Sequence, residues 1–226
     1  MNILVTAGNT ITPIDRVRVI TNVFTGRTGT RIAMEASQRG HYVTLLTSHP
    51  EVMGPLKHEI GLGPHLEVIS YRTFTELESA MRENLTKKTF DVLIHAAAVS
   101  DYEPVGLYSS ENGEMREVAT EGKVKSSHAE LWLRMKPTPK LADKVRAPWG
   151  FRGKFVKFKL EVGLGEYELR EVAMRSREQS DADFIVANTL EGKEAVAWIG
   201  DRTGRWEHVP RAELAKRIID LVSGPS

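Results

Sequence analysis

The chain contains no cysteine, which excludes disulfides, thiolate metal sites and cysteine nucleophiles together. Any thiol chemistry belongs to a substrate. An excess of either charge is also lacking: 31 basic against 30 acidic residues leave a formal +1. No field over the whole surface then attracts nucleic acid or an anionic membrane, and a positive site has to be local. Long hydrophobic runs are missing as well. The longest are strand-length, far short of the roughly 20 residues that span a bilayer, and "MNILVTAG" starts with no basic region before it. A soluble, cytoplasmic protein is expected, with neither nucleic acid nor membrane as partner. The seven histidines fall in no H-E-x-x-H or similar spacing, so no protein-built metal site is expected. There is no internal repeat or low-complexity tract.

What is present is alternation. "NILVTA" is a short apolar run ending at a glycine, "TGTRIAMEASQRG" places Ile32, Ala33 and Ala36 on one helical face before a stop at Gly40, and "HYVTLLTS" is a second strand. A β-loop-α-β unit makes these two strands parallel and buries them on both faces. "HLEVISY" reads as a strand, residues 74–88 put Phe74, Leu77, Met81 and Leu85 on one stripe, and "FDVLIHAAAVSDY" is another buried strand. After Asp101 the texture turns polar and turn-rich. "AELWLRM" then alternates Leu131, Leu133 and Met135 with Glu130, Trp132 and Arg134, a two-faced strand or arm. "KPTPKLADKV" starts a proline-bounded helix, "KFVKFKLE" is a strand, residues 166–179 a charged helix and "ADFIVANT" a buried strand. "EAVAWIGD" and "RWEHV" form an edge hairpin, and "RAELAKRIIDLVS" closes as an amphipathic helix. The 226 residues are read as one domain. Its expected class is α/β, a Rossmann-like doubly wound, mostly parallel sheet with helices on both faces and a small β arm. Ligands in such sheets bind beyond the carboxyl ends of the strands, which directs attention to Thr6–Gly29 and Ala96–Tyr102.

Residue by residue, the chemistry stays open. Gly8 lets the chain turn or approach a ligand, and an ordinary strand-end turn needs it equally. Gly26 and Gly29 stand before a helix whose first N–H groups and dipole favour an anion, with Thr25 adding a hydroxyl. Asn22 offers donor and acceptor without charge, which suits a carboxyl group under activation, yet it also serves to cap a loop. Arg16, Arg18 and Arg27 read individually as solvated charges. The alanines of "HAAAVSD" admit either a flat ligand or a packed helix, with Asp101 at the rim. Lys123 and Lys125 flank a turn, where a lysine either neutralises a triphosphate or is simply solvated.

A dinucleotide site is poorly supported. The first turn lacks G-x-G-x-x-G, the second strand ends "LLTSHP" without an acid, and none of the five tyrosines has a lysine four residues on.

Taken together, "TAGNT", "TPIDRVRVITN", "TGRTG", "AAAVSDY", "KVKSS", "PKLAD", "KFVKFKLE" and "DFIVANTLE" occur in an order that resembles phosphopantothenoylcysteine synthetases over nearly the whole length. The resemblance implies activation of 4'-phosphopantothenate by a nucleoside triphosphate, ATP or CTP, to an acyl nucleotidylate with release of pyrophosphate. The amine of L-cysteine then forms an amide. It implies catalytic roles for Asn22, Arg18 and Lys123, and substrate phosphate on Thr25, Gly26 and Gly29. The nucleotide falls to Gly8, Ala97, Ala98, Asp101, Phe158 and Asn188, with Mg2+ bound to it. Phe24 stands where the family has a serine, and Asn9 is a second departure. Bacterial CTP-using members have two lysines where this chain has Ser176 and Ser180, and "KFKLE" is nearer the ATP-using branch, so ATP is the expected nucleotide. A stand-alone synthetase and a homodimer with an arm reaching the neighbouring site are implied too. The rival readings are an NAD(P)H-dependent Rossmann reductase and a non-catalytic nucleotide-binding regulator.

Overall fold

A computed structural model of the chain describes residues 1–111 and 113–224. β1 (Asn2–Ala7) passes through a small hairpin, β2 (Ile11–Pro13) and β3 (Val19–Thr21), into α1 (Arg27–Gln38) and β4 (Tyr42–Thr47). α2 (Met53–Ile60), β5 (Leu66–Ser70), α3 (Phe74–Lys87) and β6 (Val92–His95) follow. The chain then forms an antiparallel arm from β7 (Tyr102–Glu111), β8 (Glu114–Glu117) and β9 (Leu131–Pro137). It returns through α4 (Leu141–Lys144), β10 (Lys154–Glu161), α5 (Glu166–Gln179), β11 (Phe184–Thr189), β12 (Val196–Asp201), β13 (Trp206–Pro210) and α6 (Leu214–Ser223).

The main sheet runs in the order β13-β12-β11-β10-β6-β1-β4-β5. From β5 to β11 the pairing is parallel; β12 and β13 add an antiparallel edge. The winding proceeds from β1 through β4 to β5 on one side and from β6 through β10 to β11 on the other. This is the expected doubly wound α/β class, and its switch point lies between β1 and β6, where successive loops part and leave a crevice.

Strand alternation divides the core between two faces. Ile3, Val5 and Ala7 of β1 pack with Ile32, Ala33 and Ala36 of α1 and with Ile218, Ile219 and Val222 of α6. Leu4, Leu93 and Phe155 face the other way, against Leu77, Met81 and Leu85 of α3 and Leu141 of α4. Each fully buried Leu, Ile, Val, Phe or Met among them contributes roughly 1.5–3 kcal/mol, and the alanines less. α3 begins at a capping box in which the Thr73 hydroxyl accepts from the Glu76 N–H at 3.3 Å and the Glu76 carboxylate accepts from the Thr73 N–H at 3.2 Å. Among the described residues no helix is long and apolar enough to cross a membrane.

Two details differ from the sequence expectation. α2 is a helix that the sequence reading does not contain, since Leu56 is its one buried side chain and leaves no apolar stripe to detect. The buried strand expected through "FDVLIHAAAVSDY" stops at His95. Beyond it the alanines leave β10 and pair with the loop after β1: the Ala98 N–H donates to the Gly8 carbonyl at 2.8 Å and the Thr10 N–H to the Ala98 carbonyl at 3.3 Å.

Candidate active site

The loop after β1 and the start of α1 meet through glycines. Gly26 is the N-cap of α1 at φ 78°, and no side chain caps the helix. A Cβ at Gly26 would collide with the Gly8 nitrogen, and one at Gly29 would lie 2.8 Å from the Ala7 Cβ and 2.9 Å from the Thr6 carbonyl oxygen. The first turn of α1 is therefore pressed onto the end of β1, with uncapped N–H groups beside a cavity of about 800 Å³. Such a terminus carries partial positive charge and directed donors.

Asn22 is fixed from two sides. Its Nδ2 donates to the Ala98 carbonyl at 3.1 Å, and its own backbone carbonyl accepts from Asn9 Nδ2 at 2.6 Å. Asn9 is in turn held by Ser48: its N–H donates to Ser48 Oγ at 2.9 Å, and Ser48 Oγ donates to Asn9 Oδ1 at 3.1 Å. The residue that departs from the family pattern thus ties the loop to β4 and to the end of β3.

Gly8, Asn22, Thr25, Gly26, Gly29, Ala97, Ala98, Asp101, Phe158 and Asn188 all line this cavity. Arg18 and Lys123 are not among its lining residues. Arg18 is engaged by Asp15, whose buried carboxylate it meets at 2.6 Å. That guanidinium, together with backbone N–H donors, holds the Asp15 carboxyl well below the usual carboxylate range.

Other wall residues were not apparent in the sequence. His95 and Lys157 are aligned across β6 and β10, and Thr6 lies opposite His95 on β1. Thr6 Oγ1 accepts from the Ala97 N–H at 3.2 Å and shares a 2.8 Å hydrogen bond with His95 Nδ1. Burial pushes the His95 ring down to about 4, with the Lys157 charge adding to it. The Lys157 ammonium donates to the Ser176 carbonyl and to Ser180 Oγ, both at 2.8 Å. Burial pulls it down to about 8, against the opposing pull of Asp143. Lys157 and Lys159, two residues apart on one face of "KFVKFKLE", were the available signal, since charged residues alternating with an apolar one near the carboxyl end of a central strand mark an end that faces solvent or ligand.

Near α1, Lys193 Nζ stands 5.3 Å from the Phe24 ring centroid. Arg211 donates from Nη2 to Thr28 Oγ1, while its Nη1 is buried with no partner among the described residues. No local signal marks Arg211, which comes from beyond β13. Seven basic side chains line the cavity (Arg27, Lys140, Lys157, Lys159, Arg175, Lys193, Arg211) against three acids (Asp101, Asp143, Glu194). The positive site is local, in a chain of net charge +1. Asp101 is paired with Lys140. Among the described residues, no three His, Asp or Glu groups cluster in a way that could hold a metal ion.

The DNA/pantothenate metabolism flavoprotein C-terminal domain family matches residues 1–224. The coenzyme A biosynthesis bifunctional protein CoaBC of Thermococcus kodakarensis is 34% identical over 227 residues, 97% of this chain and 50% of that protein. Its counterpart in Methanocaldococcus jannaschii is 29% identical over 83% of this chain and 40% of that protein. The chain spans about half the length of the curated relatives it matches. Among solved structures, the DNA/pantothenate metabolism flavoprotein from Streptococcus pneumoniae superposes with a TM-score of 0.81 at 28% identity, over 98% of both chains. A Cab2 mutant in complex with phosphopantothenate-cysteine shares the fold, with a TM-score of 0.74 at 16% identity over 98% of this chain and 84% of that one.

Proposed function

This chain belongs to the DNA/pantothenate metabolism flavoprotein C-terminal domain family, and from that premise we propose that it is a cytoplasmic phosphopantothenate–cysteine ligase. The carboxylate of 4'-phosphopantothenate attacks the α-phosphorus of a nucleoside triphosphate, pyrophosphate leaves, and an acyl nucleotidylate forms. The L-cysteine amine then attacks the acyl carbon, gives up a proton, and displaces the nucleoside monophosphate as the amide forms. No thiol of the protein is required, in keeping with a chain that has none.

The observation that carries this reading is one cavity with two chemically different ends: an uncapped, glycine-packed helix N-terminus, and a neutral carboxamide at Asn22 beside the ends of β1 and β6. The helix end, through Thr25, Gly26 and Gly29, takes the substrate phosphate. Phe24 supplies no hydroxyl there, and Lys193 and Arg211 bring cationic donors to the same wall. Asn22 orients the acyl group, with one donor spent on Ala98 and its side-chain oxygen available. Gly8, Ala97, Ala98, Asp101, Phe158 and Asn188 accommodate the nucleotide. Magnesium would be held chiefly by the triphosphate, needing few protein ligands, and would offset the charge of its phosphates; Asp101 and Asp143 are the carboxylates on the wall that could support it. Lys123 spreads the charge of the departing pyrophosphate. Because it stands off this cavity, the neighbouring copy of a homodimer delivers it.

ATP is the nucleotide we propose. Ser176 and Ser180 replace the lysines of CTP-using relatives, although Lys157 brings an ammonium to those two residues from β10. The test is one assay: purified protein, 4'-phosphopantothenate, L-cysteine and magnesium with ATP or CTP, reading product mass and pyrophosphate together, alongside an NADPH titration. The amide with ATP is expected. Turnover with CTP alone would reassign the nucleotide and give Lys157 the role of the missing lysines. Inactivity of folded protein with every nucleotide would reject the ligase.

A further inference from the structure

The turn at residues 15–18 and the segment at residues 122–124 are bound to each other unusually densely. The Asp15 side chain is fully buried. Its Oδ1 accepts from the N–H of Val17 at 2.8 Å and of Arg18 at 2.7 Å. Its Oδ2 accepts from Arg18 Nε at 3.0 Å, from Arg18 Nη2 at 2.6 Å and from the Val124 N–H at 3.0 Å. Arg18 Nη2 also donates to the Val124 carbonyl at 2.7 Å, and the Arg16 N–H to the Gly122 carbonyl at 3.3 Å. Both polar backbone groups of Val124 are thereby tied to one turn, and the Val124 side chain is buried. Between the two anchored residues stands Lys123, exposed, its ammonium without a partner among the described residues.

We infer that Asp15 and Arg18 are positioning residues for Lys123: their clamp fixes the backbone on both sides of it, so that its ammonium is presented from one place. No regular element lies between the end of β8 at Glu117 and the start of β9 at Leu131, so a lysine in that stretch would otherwise wander with its loop. A carboxylate has about four acceptor sites, and those of Asp15 are filled by the five bonds above. Asp15 therefore holds the segment without drawing the Lys123 ammonium into a pair of its own. The matching guanidinium keeps the clamp neutral as a unit. Arg18, which the resemblance placed with the catalytic groups, contributes through this clamp to where Lys123 stands.

This inference rests on the role proposed above for Lys123, and a double-mutant cycle separates the two. Phosphopantothenate-dependent pyrophosphate release is measured in the full chain, in Asp15→Asn, in Lys123→Ala and in the double variant. Lys123→Ala is expected to lose roughly 10²- to 10³-fold in turnover, as for a positioned group facing developing charge. Asp15→Asn should lose up to about 10²-fold through misplacement, with KM for phosphopantothenate nearly unchanged. The double variant should be no slower than Lys123→Ala, because nothing is left to position. Where Asp15→Asn does not fold, Arg18→Gln replaces it in the same cycle, since it removes the bond to the Val124 carbonyl and leaves three backbone bonds to Asp15. Losses that multiply in either cycle overturn the clamp and leave the role of Lys123 standing. Wild-type pyrophosphate release by Lys123→Ala overturns both.

Discussion

At the α1 end of the cavity the chain is held by backbone pressed on backbone: Gly26 against Gly8, and Gly29 against Ala7 and Thr6. Around Asp15 it is held by side-chain hydrogen bonds that join residues far apart in sequence. The first arrangement is steric and admits no side chain. The second is a set of separable bonds, and each can be weakened without filling space. One end should therefore fail abruptly on substitution, and the other by degrees.

Gly26→Ala tests the abrupt end. It sets a Cβ at φ 78° where the Gly8 backbone already stands, so a loss of roughly 3 kcal/mol or more, or failure to fold, is expected in denaturant titration. A variant as stable as the parent would remove the steric account of this end. Between the two ends, Asn22→Ala should lower turnover roughly 10²- to 10³-fold. Its stability should change by only about 1 kcal/mol, for the single bond to Ala98. Comparing the rate with the unfolding midpoint separates a reaction role from a structural one, and a folded Asn22→Ala with unchanged turnover sinks the assignment.

On the cavity floor, His95 sharpens the comparison through pH. Its ring is held neutral, with a folded value of about 4 against the ordinary 6.5. Between those values the unfolded chain binds a proton that the native state refuses, so stability falls as pH drops from about 6.5 to about 4 and this contribution is flat below. His95→Gln should flatten that part of the stability profile; an unchanged slope would place its origin in another group. The smallest effect is expected away from the site. Thr73→Ala breaks the α3 capping box at a cost of about 1 kcal/mol, and turnover at 25 °C should not move.

Legibility followed the range of the interaction. The β1–α1–β4 unit was readable because Ile32, Ala33 and Ala36 keep helical spacing between two apolar runs, and α3 because Leu77, Met81 and Leu85 recur every fourth residue. α2 was not, since a helix with a single buried leucine leaves no period to detect. The overlong strand at "FDVLIHAAAVSDY" has a related cause. Apolar character continues past His95, but the hydrogen bonds of Ala98 go to the loop after β1, a choice that no local pattern records. Glycines at the mouth of the site were legible because a left-handed or crowded backbone is a local demand. Lys193 and Arg211 were not, because each reaches the wall from a different connection, between β11 and β12 and after β13.

The sequence by itself determined the α/β alternation, the class of sheet, the glycine-rich entry to α1 and the absence of any protein thiol, because these depend on neighbours within about one turn or one strand. Only the tertiary structure decided that Arg18 spends its guanidinium on Asp15 and Val124 and that Lys123 stands off the cavity wall. A hydrogen bond forms where two groups meet in space, and the separation of 109 residues between Asp15 and Val124 carries no trace of that meeting along the chain.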